Sequence, residues 1–347
     1  MFRAAPLQRT FEAALRDLEA REPAVRASAA TDLAEHAPRA RSKVLSMLEQ
    51  ALCDKAPEVR SAAAIALADV GGVEALPSLL FAVEDDHPHV RQMALSAVGE
   101  LGDPRARERL RRALGDERPE VRFQAVIAFA RVAPDEAMDA LIAATHDGDP
   151  SIRYIAIRCA EERVEEGGGA MPEAFLARAR ELLDDTNDAV RVGAAIVLTR
   201  SGDRRGVPLL VDVVRGLTTT AEAEDEAMAV ELMGELGIAE ASPHLERRAF
   251  GLLSLREGRF AWQAMVALAR LGHAKARGRI LRDLHSWSRD KRTLAVAAAG
   301  RALVVEARPF IEAMRGDESR AECAAVELAL QQFDRAGLGR LTQGAAT

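Results

Sequence analysis

Aromatic side chains are scarce in this sequence, with ten Phe, two Trp and one Tyr making up 4% of 347 residues. That scarcity excludes a large aromatic core. The 48% hydrophobic content comes instead mainly from Ala, Leu and Val, residues suited to helix-on-helix packing. Cysteine is almost missing. Cys53, Cys159 and Cys323 are odd in number and widely spaced, which argues against a disulfide framework or a zinc site and for a reducing compartment. No run approaches the roughly 18 apolar residues that cross a bilayer, so no membrane span is expected. The opening MFRAAPLQRTFEAALRDLEA carries charge throughout, unlike the unbroken apolar segment of a secretory signal. The expected location is the cytoplasm.

Catalytic signatures are missing as well. None of the seven His is followed by Glu, so the His-Glu steps of a di-iron hydroxylase are not there. His87 and His89 flank Pro88 at a turn without carboxylates at ligand spacing, and they are expected to face solvent. Gly167–Gly169 lacks the Lys-Ser/Thr of a phosphate-binding loop. No nucleophile elbow or paired-carboxylate arrangement occurs. The expectation is a chain with no enzymatic activity, no cofactor and no metal. A net charge of −7 disfavours general affinity for nucleic acid or anionic membrane.

What is present is a repeat. In Asp85–Asp103, DDHPHVRQMALSAVGELGD, Pro88 pre-sets the first turn of a helix and Gly102-Asp103 ends it. Between them Val90, Ala94, Ala97, Val98 and Leu101 form an apolar stripe at helical spacing. The same pattern places an anchor Arg at Arg26, Arg60, Arg91, Arg122, Arg153 and Arg191, at intervals of 31 to 38 residues. Beyond these the helix pattern continues around Glu226, Ala261, Arg292 and Arg320. Three residues after the anchors stand Ala29, Ala63, Ala94, Ala125, Ala156, Ala194, Ala229, Ala264, Ala295 and Cys323. A small residue at one fixed phase is what closely packed helices need. A period of this length built from helix pairs is an α-solenoid.

The motif carried by Asp85–Asp103 resembles the HEAT repeat, in particular the bacterial HEAT-like type named after the phycobilisome lyases, over about residues 7–335. The resemblance implies an all-α, right-handed superhelix of about ten helix pairs whose second helices line a concave surface. It also implies a binding scaffold, since such repeats serve many tasks.

Along the chain, residues 1–162 are expected to form regular repeats, 163–335 irregular repeats continuing the solenoid, and 336–347 a flexible tail. Asp54, Asp85, Asp116, Asp147 and Asp185 each stand six residues before an anchor Arg. Each such Asp can cap a helix and accept from the Arg of its own or a neighbouring repeat, a structural ladder. Glu161–Glu173, with its three glycines, is expected to be a flexible loop. Gly216–Glu226 is expected as an acidic loop and Phe250–Phe260 as a longer, partly apolar one.

One and five residues after the anchors, an unspecialised repeat carries polar residues such as Gln92 and Ser96. Several repeats do not. Phe123 pairs with Ile127, Tyr154 with Arg158, Val192 with Ile196, and Trp262 with Val266. Either these form a partner-binding apolar stripe, or wider packing buries them between second helices. The expectation adopted is the stripe, on a scaffold or adaptor that binds a protein and regulates a signalling complex. A small GTPase or its regulator is a partner suggested by HEAT solenoids such as the nuclear transport receptors. Basic clusters at Arg105–Arg112 and Lys275–Arg282 suit a solvated outer face; the alternative is a phosphate-binding patch, as in HEAT-like DNA glycosylases. A lyase-like chaperone for a chromophore is the remaining alternative. The Ala- and Arg-rich composition suggests a bacterial source.

Overall fold

A computed structural model describes residues 9–251 and 260–337. The helices in the first half are α1 (Phe11–Asp17), α2 (Pro23–Ala34), α3 (Ala37–Ala51), α4 (Pro57–Val70), α5 (Leu76–Ala82), α6 (Pro88–Leu101), α7 (Arg107–Ala113), α8 (Pro119–Val132), α9 (Pro134–Ala144) and α10 (Pro150–Gly167). Then follow α11 (Glu173–Leu182), α12 (Asp188–Arg200), α13 (Val207–Arg215), α14 (Ala223–Glu235), α15 (Ser242–Phe250), α16 (Ala261–Arg270), α17 (Ala274–Asp283), α18 (Arg289–Ala302), α19 (Arg308–Glu312) and α20 (Cys323–Arg335). Taken in twos these are ten helix pairs, and no strand occurs among the described residues. The fold is an all-α solenoid of HEAT-like repeats. Among the described residues no helix is long and apolar enough to cross a membrane.

Two compact units divide the chain, residues 1–178 and 179–347. The division falls inside α11, beyond the break expected at residue 163. The glycine run does not make the expected loop at 161–173: α10 continues to Gly167, and Gly168, at φ +63, caps it in the left-handed region. Only the last part of the expected stretch is left outside helix. The loop expected at 216–226 is shorter too, because α14 begins at Ala223. Of the loop expected at 250–260, residues 252–259 lie outside the described residues, as do 338–347 of the expected tail.

In the first unit the Asp–Arg ladder holds successive repeats together. Arg91 donates from Nε and Nη2 to Asp116 of the next repeat, both at 2.9 Å, and from Nη1 to the carbonyl of Asp85 in its own turn at 2.9 Å. Asp116 in turn accepts from the backbone N–H of Arg118 at 2.9 Å, closing the turn that leads into α8; the N-cap of α8 is Arg118 itself, so the expected helix cap is a turn bond here. Arg26 with Asp54, Arg60 with Asp85, and Arg122 with Asp147 repeat the arrangement at 2.7 to 2.8 Å. Two-pronged guanidinium–carboxylate pairing of this kind is both directional and strong. It favours the ionised acids. Hydrogen bonds from Arg26 and Arg122 hold the Asp54 and Asp147 carboxyls below the usual range. Burial opposes ionisation at Asp85 and Asp116, but pairing with Arg60 and Arg91 outweighs it and these carboxyls are also lowered.

The second unit changes the rung. Arg191 keeps its bond to the Asp185 carbonyl at 2.9 Å and pairs with Asp188 inside its own helix. Arg292 reaches backbone carbonyls instead, donating to Ser286 and Arg320 at 2.6 Å and to Ser319 at 2.9 Å. The small-residue phase holds for nine repeats, whose Ala residues from Ala29 to Ala295 are all buried. In the tenth it slips by one helical turn: Val326 is the fully buried residue and Cys323 is only partly covered. The cause is visible in the chain. The residues before Cys323 form turns, so α20 starts later in the repeat than its counterparts.

Candidate functional site

The eight residues of the expected stripe do not share one environment. In the first unit, Phe123 and Ile127 lie on α8 and Tyr154 and Arg158 on α10, all partly buried. Arg158 donates to Glu161 at 2.7 Å. In the second unit, Val192 and Ile196 are fully buried and belong to the core. They have no surface to offer a partner. The reason is that α12 is buried on all sides from Val192 to Thr199, as a helix apolar around its whole circumference must be. On α16, Val266 is also buried while Trp262 remains partly exposed.

The exposed row lies one helical turn further along. Arg131 follows Ile127, Glu162 follows Arg158, and Arg200, Arg270 and Arg301 occupy the same phase on later second helices, all exposed. Glu35, Asp69, Glu100 and Glu235 stand at the same phase. Sequence reasoning stopped at the apolar pair and missed this row. Continuing the four-residue step would have found it, because i and i+4 share a helix face.

In the second unit the row closes into a cleft of about 370 Å³ along α14, α16, α18 and α20. Arg301 pairs with Glu231 at 2.8 Å, and its guanidinium lies 5.5 Å from the ring centre of Trp262, within cation–π range. Arg270 pairs with Glu235 at 3.1 Å and donates to the Arg301 carbonyl at 3.3 Å. Gln332 and Arg335 of α20 line the far side. Arg335 makes no ion pair among the described residues. The Trp262 indole N–H is buried with no acceptor among them. The cleft thus presents three guanidiniums to two carboxylates beside a half-covered aromatic ring. Such a set binds and orients; it contains no nucleophile or general base in contact with an activating partner.

The basic cluster on α7 and the turn before it is neutralised by neighbouring acids. Arg105 pairs with Asp103 at 2.6 Å, Arg107 with Glu136 at 3.1 Å and Arg109 with Glu84 at 2.7 Å. Arg111 pairs with both Glu108 and Glu136. On α17, Lys275 sits 4.2 Å from the Phe250 ring centre and Arg279 pairs with Asp283 at 2.8 Å. His87 and His89 are exposed. No group of three or more His, Cys, Asp or Glu is placed to hold a metal among the described residues. Burial pushes the Cys159 thiol up to about 12, and all three cysteines are unpaired.

Residues 11–87 and 79–161 match a family model described as HEAT repeats. No curated protein matches the chain. Among solved structures, Escherichia coli YibA superposes with a TM-score of 0.57 at 19% identity, over 76% of this chain and 93% of its own. A model of the full-length AP-3 complex gives 0.56 at 14% identity, over 85% and 59%. The CpcE–CpcF complex of phycocyanin lyase from Nostoc gives 0.43 at 19% identity, over 68% and 91%. At these identities the likeness is one of fold, and at 0.43 it carries no argument.

Proposed function

We propose, because residues 11–161 match HEAT repeats and helix pairs continue through the rest of the described chain, that the protein is a non-enzymatic scaffold or adaptor that holds a protein partner against the free face of its second helices. The observation that supports this reading is the contrast between the two sides of the repeats. The arginines of α7 are paired with the neighbouring acids Glu84, Glu108 and Glu136. In each unit the second helices carry exposed charged residues at one phase, beside partly exposed Phe123 and Tyr154 in the first and Trp262 in the second. Aromatic and Arg side chains at a partly covered surface are the residues that dominate protein interfaces. Val192, Ile196 and Val266 act in this reading as core, and Ile127 and Arg158 flank the contact. A regulatory role in the cytoplasm of a bacterium, with a small GTPase or its regulator as partner, extends the same proposal. The pairing of the Arg105–Arg112 cluster with acids favours the protein-partner reading over the nucleic-acid alternative.

The test is affinity capture from native lysate with mass spectrometry, comparing wild type with a Phe123→Ala, Tyr154→Ala, Trp262→Ala variant of matched circular dichroism and melting. A protein captured by wild type and lost from the variant supports the reading. Identical captures overturn it.

A further inference from the structure

We propose that the cleft of the second unit is a binding site for an acidic peptide segment, with Arg270, Arg301 and Arg335 as its carboxylate receptors. This rests on the scaffold reading above and names the chemistry of the partner. The chain as a whole is negative, at −7, yet its three cleft arginines outnumber the two cleft carboxylates. The local sign is therefore inverted, and a cationic segment is disfavoured there.

The arginines are also held ready. Arg301 is fixed between Glu231 and the Trp262 ring, and Arg270 between Glu235 and the Arg301 carbonyl. The side chains of both ion pairs are between 31% and 42% exposed. Pairs that open to water are weak, so an arriving carboxylate can replace Glu231 or Glu235 at little cost. Guanidinium forks suit carboxylates because both prongs engage at once. Arg335 has no pair to break among the described residues, and the Gln332 amide adds a neutral donor beside it. At about 370 Å³ the space takes a few side chains of a peptide, within the range of ordinary ligand sites.

Trp262 supplies the readout. Trp287 is the other tryptophan and is wholly exposed, so Trp287→Phe leaves Trp262 as the sole reporter without touching the core. In that background a short all-glutamate peptide should change Trp262 emission saturably. Binding should weaken on going from about 50 mM to about 500 mM salt, and by about tenfold or more in Arg335→Ala or Arg270→Ala, with Arg335→Lys restoring part of it. An all-lysine peptide should give no saturable change, and inorganic phosphate should compete only weakly. The proposal is overturned if the glutamate peptide gives no saturable signal, if both arginine variants bind it like wild type, or if lysine peptide or phosphate binds as well. Peptide binding without capture of any protein from lysate would count against the scaffold reading alone. Capture that survives Arg270→Ala and Arg335→Ala, with no peptide binding, would overturn this inference alone.

Discussion

At the scale of single residues, the ladder arginines are structural and their worth can be measured. Arg91 makes four hydrogen bonds, two to one acid and two to turn carbonyls, while its side chain is 12% exposed. Arg91→Ala would strand the Asp116 carboxylate, itself only 14% exposed. The expected cost is about 2–3 kcal/mol, the range for losing charge-assisted bonds in a partly buried site. Arg91→Lys should recover less than half, since an ammonium cannot reproduce the fork. Urea unfolding monitored by circular dichroism checks both. A loss below about 0.5 kcal/mol would mean the rung is solvated like an ordinary surface pair. The Asp and Arg of each rung were legible in the sequence by their fixed six-residue separation. Which repeat the Arg would reach was not, because that depends on the stacking distance between repeats.

At the scale of helices, the close contacts are made by glycines that the sequence pattern did not single out. A Cβ on Gly234 would stand 2.6 Å from the Cα of Ala267, and one on Gly300 would stand 2.7 Å from that of Ala329. These contacts set the spacing of α14 from α16 and of α18 from α20. Two effects compete in Gly234→Ala. Helix propensity gains about 1 kcal/mol, while backbone cannot yield as a flexible side chain would, and overpacking costs about 1–3 kcal/mol. The net expectation is destabilisation. Gly278 in α17 is the control: a Cβ there meets nothing within 4 Å, so Gly278→Ala should stabilise by about 0.5–1 kcal/mol. Melting temperatures moving in opposite directions would support this account. A stabilised Gly234→Ala would refute the close approach.

Helices were legible as a class because Pro at the first turn and Gly at the exit recur with the apolar period. The positions at Phe123–Val266 were legible in the sequence, but not which of them are buried. Period alone cannot tell a helix with one free face from one covered on all sides, and α12 is of the second kind. The apolar run VRVGAAIVLT of Val190–Thr199 was the available warning.

At the scale of the whole chain, the two units differ in how they hold their protons. The ladder carboxylates Asp54, Asp85, Asp116 and Asp147 all belong to residues 1–178, are partly buried and are held below the usual range. In residues 179–347 Asp203, held low by Arg180 at 2.8 Å, is a comparable partly buried acid, whereas Glu318, held low first by the Cys323 N–H, and Glu327, held low by Arg315, lie at the surface, where protonation costs little. A group whose folded pKa lies below its unfolded value binds protons more readily in the unfolded chain, so stability rises with pH. The ladder's contribution is therefore complete above the unfolded Asp value of about 3.9 and is lost as pH falls through the lower folded values. Acid should loosen the first unit before the second. Hydrogen exchange with mass spectrometry, corrected for the intrinsic pH dependence of exchange, reads this directly. Between about pH 6 and about pH 3, protection in α4, α6 and α8 should fall ahead of that in α14, α16 and α18. Exchange in Asp116→Asn should lose part of this pH response, because its amide cannot titrate. Simultaneous loss in both units, or earlier loss in the second, would show that the rungs do not govern acid stability, and the ladder would then be a device of register alone.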